Sequence, residues 1–303
     1  MLPIEIEGLT KVYKGRRGRQ VVALGGLDLQ VGQGEVFGFL GPNGAGKSTT
    51  IKTLVGLIRA SNGTAKLFGG PVTDPDCRRR VGYLPENPSF YDFLTAREYL
   101  VMVGRTFGMS MGAIRNESDR VLDLFDMRHA ERRPIRGYSK GMIQRLGLAQ
   151  TLLHDPDLYI LDEPMSGLDP LGRALVKRIM GDLKRRGKTV FFSTHVTADV
   201  EAVCDRVAVI VDGKLRAMDV VQDLLQLGIE GYTVQFVGCP LVSASGFEVN
   251  ERSGGIREVI VPSSQLNRFM EIIVKSGGEI RLIEPKRRDL ERFFLDIVQC
   301  EVK

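Results

Sequence analysis

The chain runs to 303 residues, with 43% hydrophobic and 26% charged side chains, which excludes a disordered or low-complexity polymer and leaves apolar mass for a large domain and a smaller one. Its 42 basic and 37 acidic residues give a net charge of +5, a mild excess compatible with nucleotide, a membrane surface or nothing in particular, and the dispersed basic clusters at 16–19, 78–80, 184–186 and 286–288 read as solvated faces, with contact to lipid headgroups or a partner as the alternative. The four cysteines, Cys77, Cys204, Cys239 and Cys300, are far apart with no Cys-x-x-Cys spacing, so neither a disulfide framework nor a zinc site is expected and a reducing cytoplasm is.

The first residues, MLPIEIEGLT, carry acids and lack the apolar core of a signal peptide. IEIE, VVAL, LDLQV and EVFGFL, punctuated by GRRGR and GQGE, read as short strands of a small, mostly antiparallel sheet feeding one buried strand, Val36–Leu40. The pattern turns helical over 46–58, with Ile51, Leu54, Val55 and Ile58 on one face. RVGYL (80–84) reads as a strand, and 94–126 as two helices capped by Thr95 and Ser110, with Val121, Leu122, Leu124 and Phe125 as an apolar face. A further helix opens at YSKG (138–141), with Met142, Leu146, Ala149 and Leu153 along one side.

LYILD (158–162), TVFFS (189–193) and VAVIV (207–211) are apolar runs separated by helical segments, one of them around 171–186. That alternation indicates a parallel sheet covered by helices on both faces. Nothing approaches the ~18–20 apolar residues that cross a bilayer, so membrane passage would fall to another chain. Past 222 the texture changes: YTVQFV, FEV, REVIV and EIRLIEP read as strands, SQLNRFMEIIVKSGG as a helix with Leu266, Phe269, Met270 and Ile273 inward, and DLERFFLDIV as a last helix. Residues 229–303 therefore read as a separate small α+β domain.

The chemistry concentrates in two places. Gly41-Pro42-Asn43-Gly44-Ala45-Gly46-Lys47-Ser48-Thr49 fits G-x-x-x-x-G-K-[ST] between a strand and a helix. In that context the glycines let backbone N–H groups close on phosphate oxygens, Lys47 reaches the outer phosphates, and the Ser48 hydroxyl is placed for Mg²⁺. At 158–163 an apolar strand delivers Asp162 and then Glu163, an acid suited to hold Mg²⁺ directly or through water and a second suited to orient or deprotonate an attacking water. A second glycine turn, Ser139-Lys140-Gly141, also opens a helix and so forms another anion cradle.

LDEP (161–164), SGLDP (166–170), FSTH (192–195) and YSKGMIQRLGLAQ (138–150) follow the phosphate loop in order. Together they give a chain that resembles the ATP-binding subunit of an ABC transporter, of the exporter-type, ABC-2-like branch with a C-terminal extension. The resemblance covers roughly 3–222 and implies an α/β fold: a P-loop ATPase domain over 1–222 with a mixed sheet core, an antiparallel β subdomain and a helical subdomain at about 90–153, followed by the α+β accessory domain. It implies ATP and Mg²⁺ as cofactors, ATP hydrolysis coupled to transport, a polytopic membrane permease and a second ATP-binding subunit as partners, with a homodimer favoured over a heterodimer, no nucleic acid, and a place on the cytoplasmic face of the membrane.

The resemblance also gives residues roles. Ser139, Lys140 and Gly141 would close over the γ-phosphate held by the other chain's phosphate loop, which explains two cradles in one sequence. Tyr13 would stack on adenine, Asp169 would cross the dimer interface, and His195 would contact the γ-phosphate beside the catalytic Glu163 and Lys47. Glu86 stands where glutamine is usual, with a Mg²⁺ contact implied, and Lys140 stands where a second glycine is usual. Phe90, Tyr91 and Phe93, in the aromatic stretch 86–108, would meet the permease, while His129 and His154 read as surface residues. The alternative is a soluble ATPase of the same superfamily acting on a ribosome, nucleic acid or other soluble complex. Against it stand the single ATPase unit and the lack of a heptad run.

Overall fold

The computed structural model of the protein describes residues 1–14, 20–227, 229–238, 247, 249–287 and 290–299. The basic cluster at 16–19 and Cys239 and Cys300 lie outside them. The chain divides into two compact units, Met1–Asp219 and Val220–Lys303.

In the first unit β1 (Ile4–Lys14) pairs antiparallel with β2 (Gln20–Val31) on one side and β4 (Asn62–Leu67) on the other, and β5 (Gly70–Pro71) extends the sheet beyond β4. VVAL and LDLQV, expected as separate short strands, are parts of one strand. The Gly25-Gly26 pair that looks like a turn is absorbed by register shifts along β1, with Gly26 at φ +86°.

The second sheet carries the site. β3 (Val36–Leu40) lies between β8 (Thr189–Thr194) and β9 (Arg206–Val211); β7 (Leu158–Asp162) pairs with β8, and β6 (Val81–Leu84) with β7, all parallel. β10 (Lys214–Val220) borders β9 at the far edge. Every residue of β3, β7 and β8 is buried, as befits strands covered on both faces. The covering helices include α1 (Lys47–Leu54), α6 (Pro170–Arg185) and α7 (Thr197–Val203), while the short α2 (Pro75–Arg78) follows β5 and buries no residue. α1 stops four residues short of the expected 58 because Gly56 turns left-handed at φ +74°.

α3 (Ala96–Thr106), α4 (Met111–Leu124) and α5 (Lys140–Leu152) form the helical insert between β6 and β7. Leu100, Val121, Leu122, Phe125, Leu146 and Ala149 make its core. Thr95 caps α3 in a reciprocal box: its hydroxyl accepts from the Glu98 N–H at 3.2 Å and its own N–H donates to the Glu98 carboxylate at 2.8 Å. His129 is exposed. His154, expected at the surface, is instead half-buried: its ring stacks on Phe107 at 3.6 Å and its Nε2 lies 3.2 Å from the Val81 carbonyl, and burial pulls its pKa down.

The second unit opens with α8 (Val221–Leu227). Its antiparallel sheet runs β12 (Val249–Glu251), β13 (Arg257–Pro262), β11 (Ile229–Val237), β14 (Glu279–Arg287). α9 (Leu266–Lys275) buries Phe269 and Ile273 against Val234, Phe236, Val259 and Val261, and α10 (Leu290–Gln299) follows.

Thr95→Ala removes one half of the capping box and leaves the Glu98 N–H without its side-chain acceptor. The expected loss is about 1 kcal/mol of stability, seen as a lower urea midpoint of the first unit, and an unchanged midpoint would contradict the cap's contribution.

Candidate active site

The loop after β3 is closed by glycines that admit no side chain. A Cβ on Gly41 would meet the Ile210 carbonyl oxygen at 2.4 Å, and Gly46 combines φ +106° with a Cβ position 2.7 Å from the Ala23 carbonyl oxygen. The loop is tied at both ends: the Gly41 N–H donates to the Thr194 carbonyl at 3.2 Å, and the Gly213 N–H donates to the Ala45 carbonyl at 3.0 Å. α1 leaves Gly46 with no side-chain cap, so its first N–H groups are free to face an anion. Buried Lys47 donates from Nζ to the carbonyls of Gly41 and Pro42 at 2.7 and 3.2 Å.

β7 ends in the second component. Asp162 is 1% exposed and its carboxylate accepts from the Ser193 hydroxyl at 2.5 Å. The same hydroxyl accepts from the Glu163 N–H at 3.0 Å, so one serine of β8 fixes two successive acids. Glu163 itself sits at φ +49°, in the left-handed region, which costs a residue with a Cβ about 1–3 kcal/mol unless its surroundings impose it. That twist turns the carboxylate out of the strand's buried row. Its Oε1 lies 3.5 Å from Lys47 Nζ, and its two oxygens lie 3.0 and 3.1 Å from His195 Nδ1. A carboxylate only accepts, so Nδ1 is the donor in this pair and Nε2 lies on the side of the ring away from Glu163.

Ala23, residues 42–49, Glu86 and Glu163 line one cleft of about 250 Å³. The structure therefore brings the phosphate loop, Glu86 and Glu163 together, with His195 at Glu163. Asp162 stands behind Glu163 and does not line the cleft. Among the described residues no three His, Cys, Asp or Glu side chains gather as a metal-binding group. Mg²⁺ makes no such demand, because it keeps several waters and takes one or two protein oxygens beside substrate phosphates. The Ser48 hydroxyl and the carboxylates of Glu86 and Asp162 are hard oxygen donors of that kind.

Ser139, Lys140 and Gly141 do not line this cleft. Ser139 caps α5, its hydroxyl accepting from the Met142 N–H at 3.3 Å. The Lys140 methylenes lie across the SGLDP turn, where a Cβ on Gly167 would meet its Cε at 3.0 Å, and the ammonium end stays exposed. Asp169 caps α6 through the Gly172 N–H at 2.7 Å and stands 3.6 Å from the Arg145 guanidinium. Tyr13, at 39% exposure, is no strand-core tyrosine; it pairs with Val21, two residues before the cleft-lining Ala23, with Lys11 Nζ 5.1 Å from its ring centre. Phe90 is partly buried and packs edge-on against Tyr99 at 4.8 Å, while Tyr91 and Phe93 are 58% and 68% exposed.

Two residues that the sequence reading passed over hold this arrangement. Ser193 is the hydroxyl just described. Gln144, inside α5, donates from Nε2 to the carbonyls of Glu163 and Pro164 at 3.4 and 3.1 Å. Neither position carries a local signal of its own: Gln144 stands beside Arg145 and Ser193 beside Thr194.

The ABC transporter family model matches residues 24–166. An uncharacterized ABC transporter ATP-binding protein of Nostoc sp. (strain PCC 7120), all4389, is 46% identical over 96% of this chain and 88% of its own length. The fluoroquinolones export ATP-binding protein MT2762 of Mycobacterium tuberculosis is 41% identical over 71% of this chain and 70% of its own. The solved structure of an ATP-binding subunit of an ABC transporter, 31% identical, superposes with a TM-score of 0.68 over 74% of this chain and 92% of that one. Its fold, the order of its motifs and these relatives together make the chain a member of the ABC transporter family, one of its ATP-binding subunits.

Proposed function

We propose that the chain hydrolyses ATP and that hydrolysis drives export through a separate membrane-spanning permease. The observation that carries the reading is Glu163, held at the cleft between Lys47 and His195 by a strained backbone. Such a carboxylate is placed to orient and deprotonate a water aimed at the outer phosphate, while the Lys47 ammonium and the loop N–H groups stabilise the charge that builds on that phosphate. His195 Nε2 faces away from Glu163, and we assign it a contact with the same phosphate. Mg²⁺ would be held by Ser48, Glu86 and, through water, Asp162, and would neutralise phosphate charge.

The Ser139 turn supports a dimer, because it is an anion cradle outside the chain's own cleft. In a head-to-tail pair it would cap the nucleotide of the other chain, with Asp169 at the interface and Tyr13 beneath the adenine. A homodimer is the simplest such pair, since this chain holds one complete set of these groups. Among the described residues no helix is long and apolar enough to cross a membrane, which supports a separate permease docked at Tyr91 and Phe93. A permease partner would put the chain on the cytoplasmic face of the membrane, and export is the direction that the M. tuberculosis relative's name supports. The 1–222 segment is the motor and the α+β domain at 229–303 an accessory to it.

Glu163→Gln should keep nucleotide binding and lose turnover by at least ~100-fold in a phosphate-release assay, and near-normal turnover would refute the assignment. Ser139→Ala should leave binding to the monomer intact and weaken ATP-driven dimerisation by about 1.5–3 kcal/mol per site, a shift that sedimentation at graded protein concentrations would register and whose absence would count against a trans cradle.

A further inference from the structure

Glu163 is gripped from two elements. On its amide side the grip is Ser193 of β8, a fully buried strand. On its carbonyl side it is Gln144 of α5, through the paired bonds to the Glu163 and Pro164 carbonyls. Gln144 is 4% exposed, and neither bond is needed to build α5, whose own ladder runs from the Ser139 cap. A long amide buried only to hold two carbonyls of the next segment is a device for placing that segment.

The helix that supplies this grip is the one whose first turn is the second cradle. Lys140 lies over Gly167, Gln144 holds Glu163 and Pro164, and Arg145 stands by Asp169, so three residues of the first two turns meet the stretch from Glu163 to Asp169. Whatever an anion at Ser139 does to the tilt of α5 is delivered to Glu163 by Gln144, the tie that reaches its own backbone.

We propose that Gln144 is a positioning residue that sets the Glu163 carboxylate, and that it links occupancy of the Ser139 cradle, on the neighbouring chain's nucleotide, to alignment of this chain's own acid. The inference rests on Glu163 being the acid that handles water. The geometry assigns the link to the side-chain donor, so an isosteric residue without one breaks it and another donor of similar reach restores it.

The test compares Gln144→Met, of similar length with no donor, with Gln144→Lys, which returns an N–H to the same carbonyls. The readouts are kcat and KM for ATP, and the affinity of a fluorescent ATP analogue. The Met variant should bind nucleotide within about twofold of wild type while kcat falls about 10- to 100-fold, and the Lys variant should recover most of that loss. Intact nucleotide binding shows that the fold survives. An unchanged kcat in the Met variant overturns the proposal, and so does an equal loss of kcat and affinity in both variants, the mark of a structural role alone. Wild-type protein that hydrolyses, with Glu163→Gln inactive and Gln144→Met normal, leaves the proposed function standing and removes this inference. Wild-type protein that hydrolyses no ATP removes both.

Discussion

The site depends on the register of three adjacent parallel strands. Leu40 of β3 stands opposite Thr194 of β8, and Asp162 of β7 opposite Ser193, so the phosphate loop, the acid pair and His195 all emerge at one edge. The strands are apolar and buried along their length, which leaves polar chemistry only their carboxyl ends. A slip of one residue between β7 and β8 would turn Ser193 away from Asp162 and Glu163 together. Burial of the apolar runs, which opposes that slip, therefore also sets the catalytic geometry.

Glu163 shows how such a frame is used. Its left-handed backbone is unfavourable by about 1–3 kcal/mol, and it persists because hydrogen bonds from two other elements and two cationic or proton-donating side chains converge on one residue. A residue balanced in this way responds to small movements of what holds it. That suits an acid whose work has to follow the closing of a second subunit, and it explains why a helix bearing an anion cradle is also tied to the acid's backbone.

Much of this was legible in the sequence because the signals were local. The phosphate loop, the strands ending at Leu40 and Asp162, and the caps at Thr95 and Ser110 each have residue types dictated by backbone geometry at that place. Where the reading failed, the deciding contact was distant. The length of β2 rests on bulges absorbed by β1, and the half-burial of His154 on Phe107, far back in the chain. Gln144 and Ser193 gave no sign of their part, because a single polar residue in a buried segment does not reveal which carbonyl or carboxylate it will meet. The strand Asn62–Leu67 was missed since its alternation is confined to Thr64–Leu67 behind an Asn-Gly pair that reads as a turn, and Gly63 passes directly over Gly8.

The central claim is that the cradle at Ser139 serves the nucleotide bound at Lys47 of another copy, and mixing two inactive variants tests it most directly. One variant carries Lys47→Ala, the other Ser139→Ala, assayed at concentrations where each alone turns over little or no ATP. A head-to-tail pair of the two restores one intact composite site, with Lys47 from one chain and Ser139 from its partner. The account predicts that the mixture hydrolyses ATP faster than the sum of the two variants alone. A mixture as inactive as its components, with mixed dimers demonstrably formed, would contradict it and place both cradles on the nucleotide of a single chain.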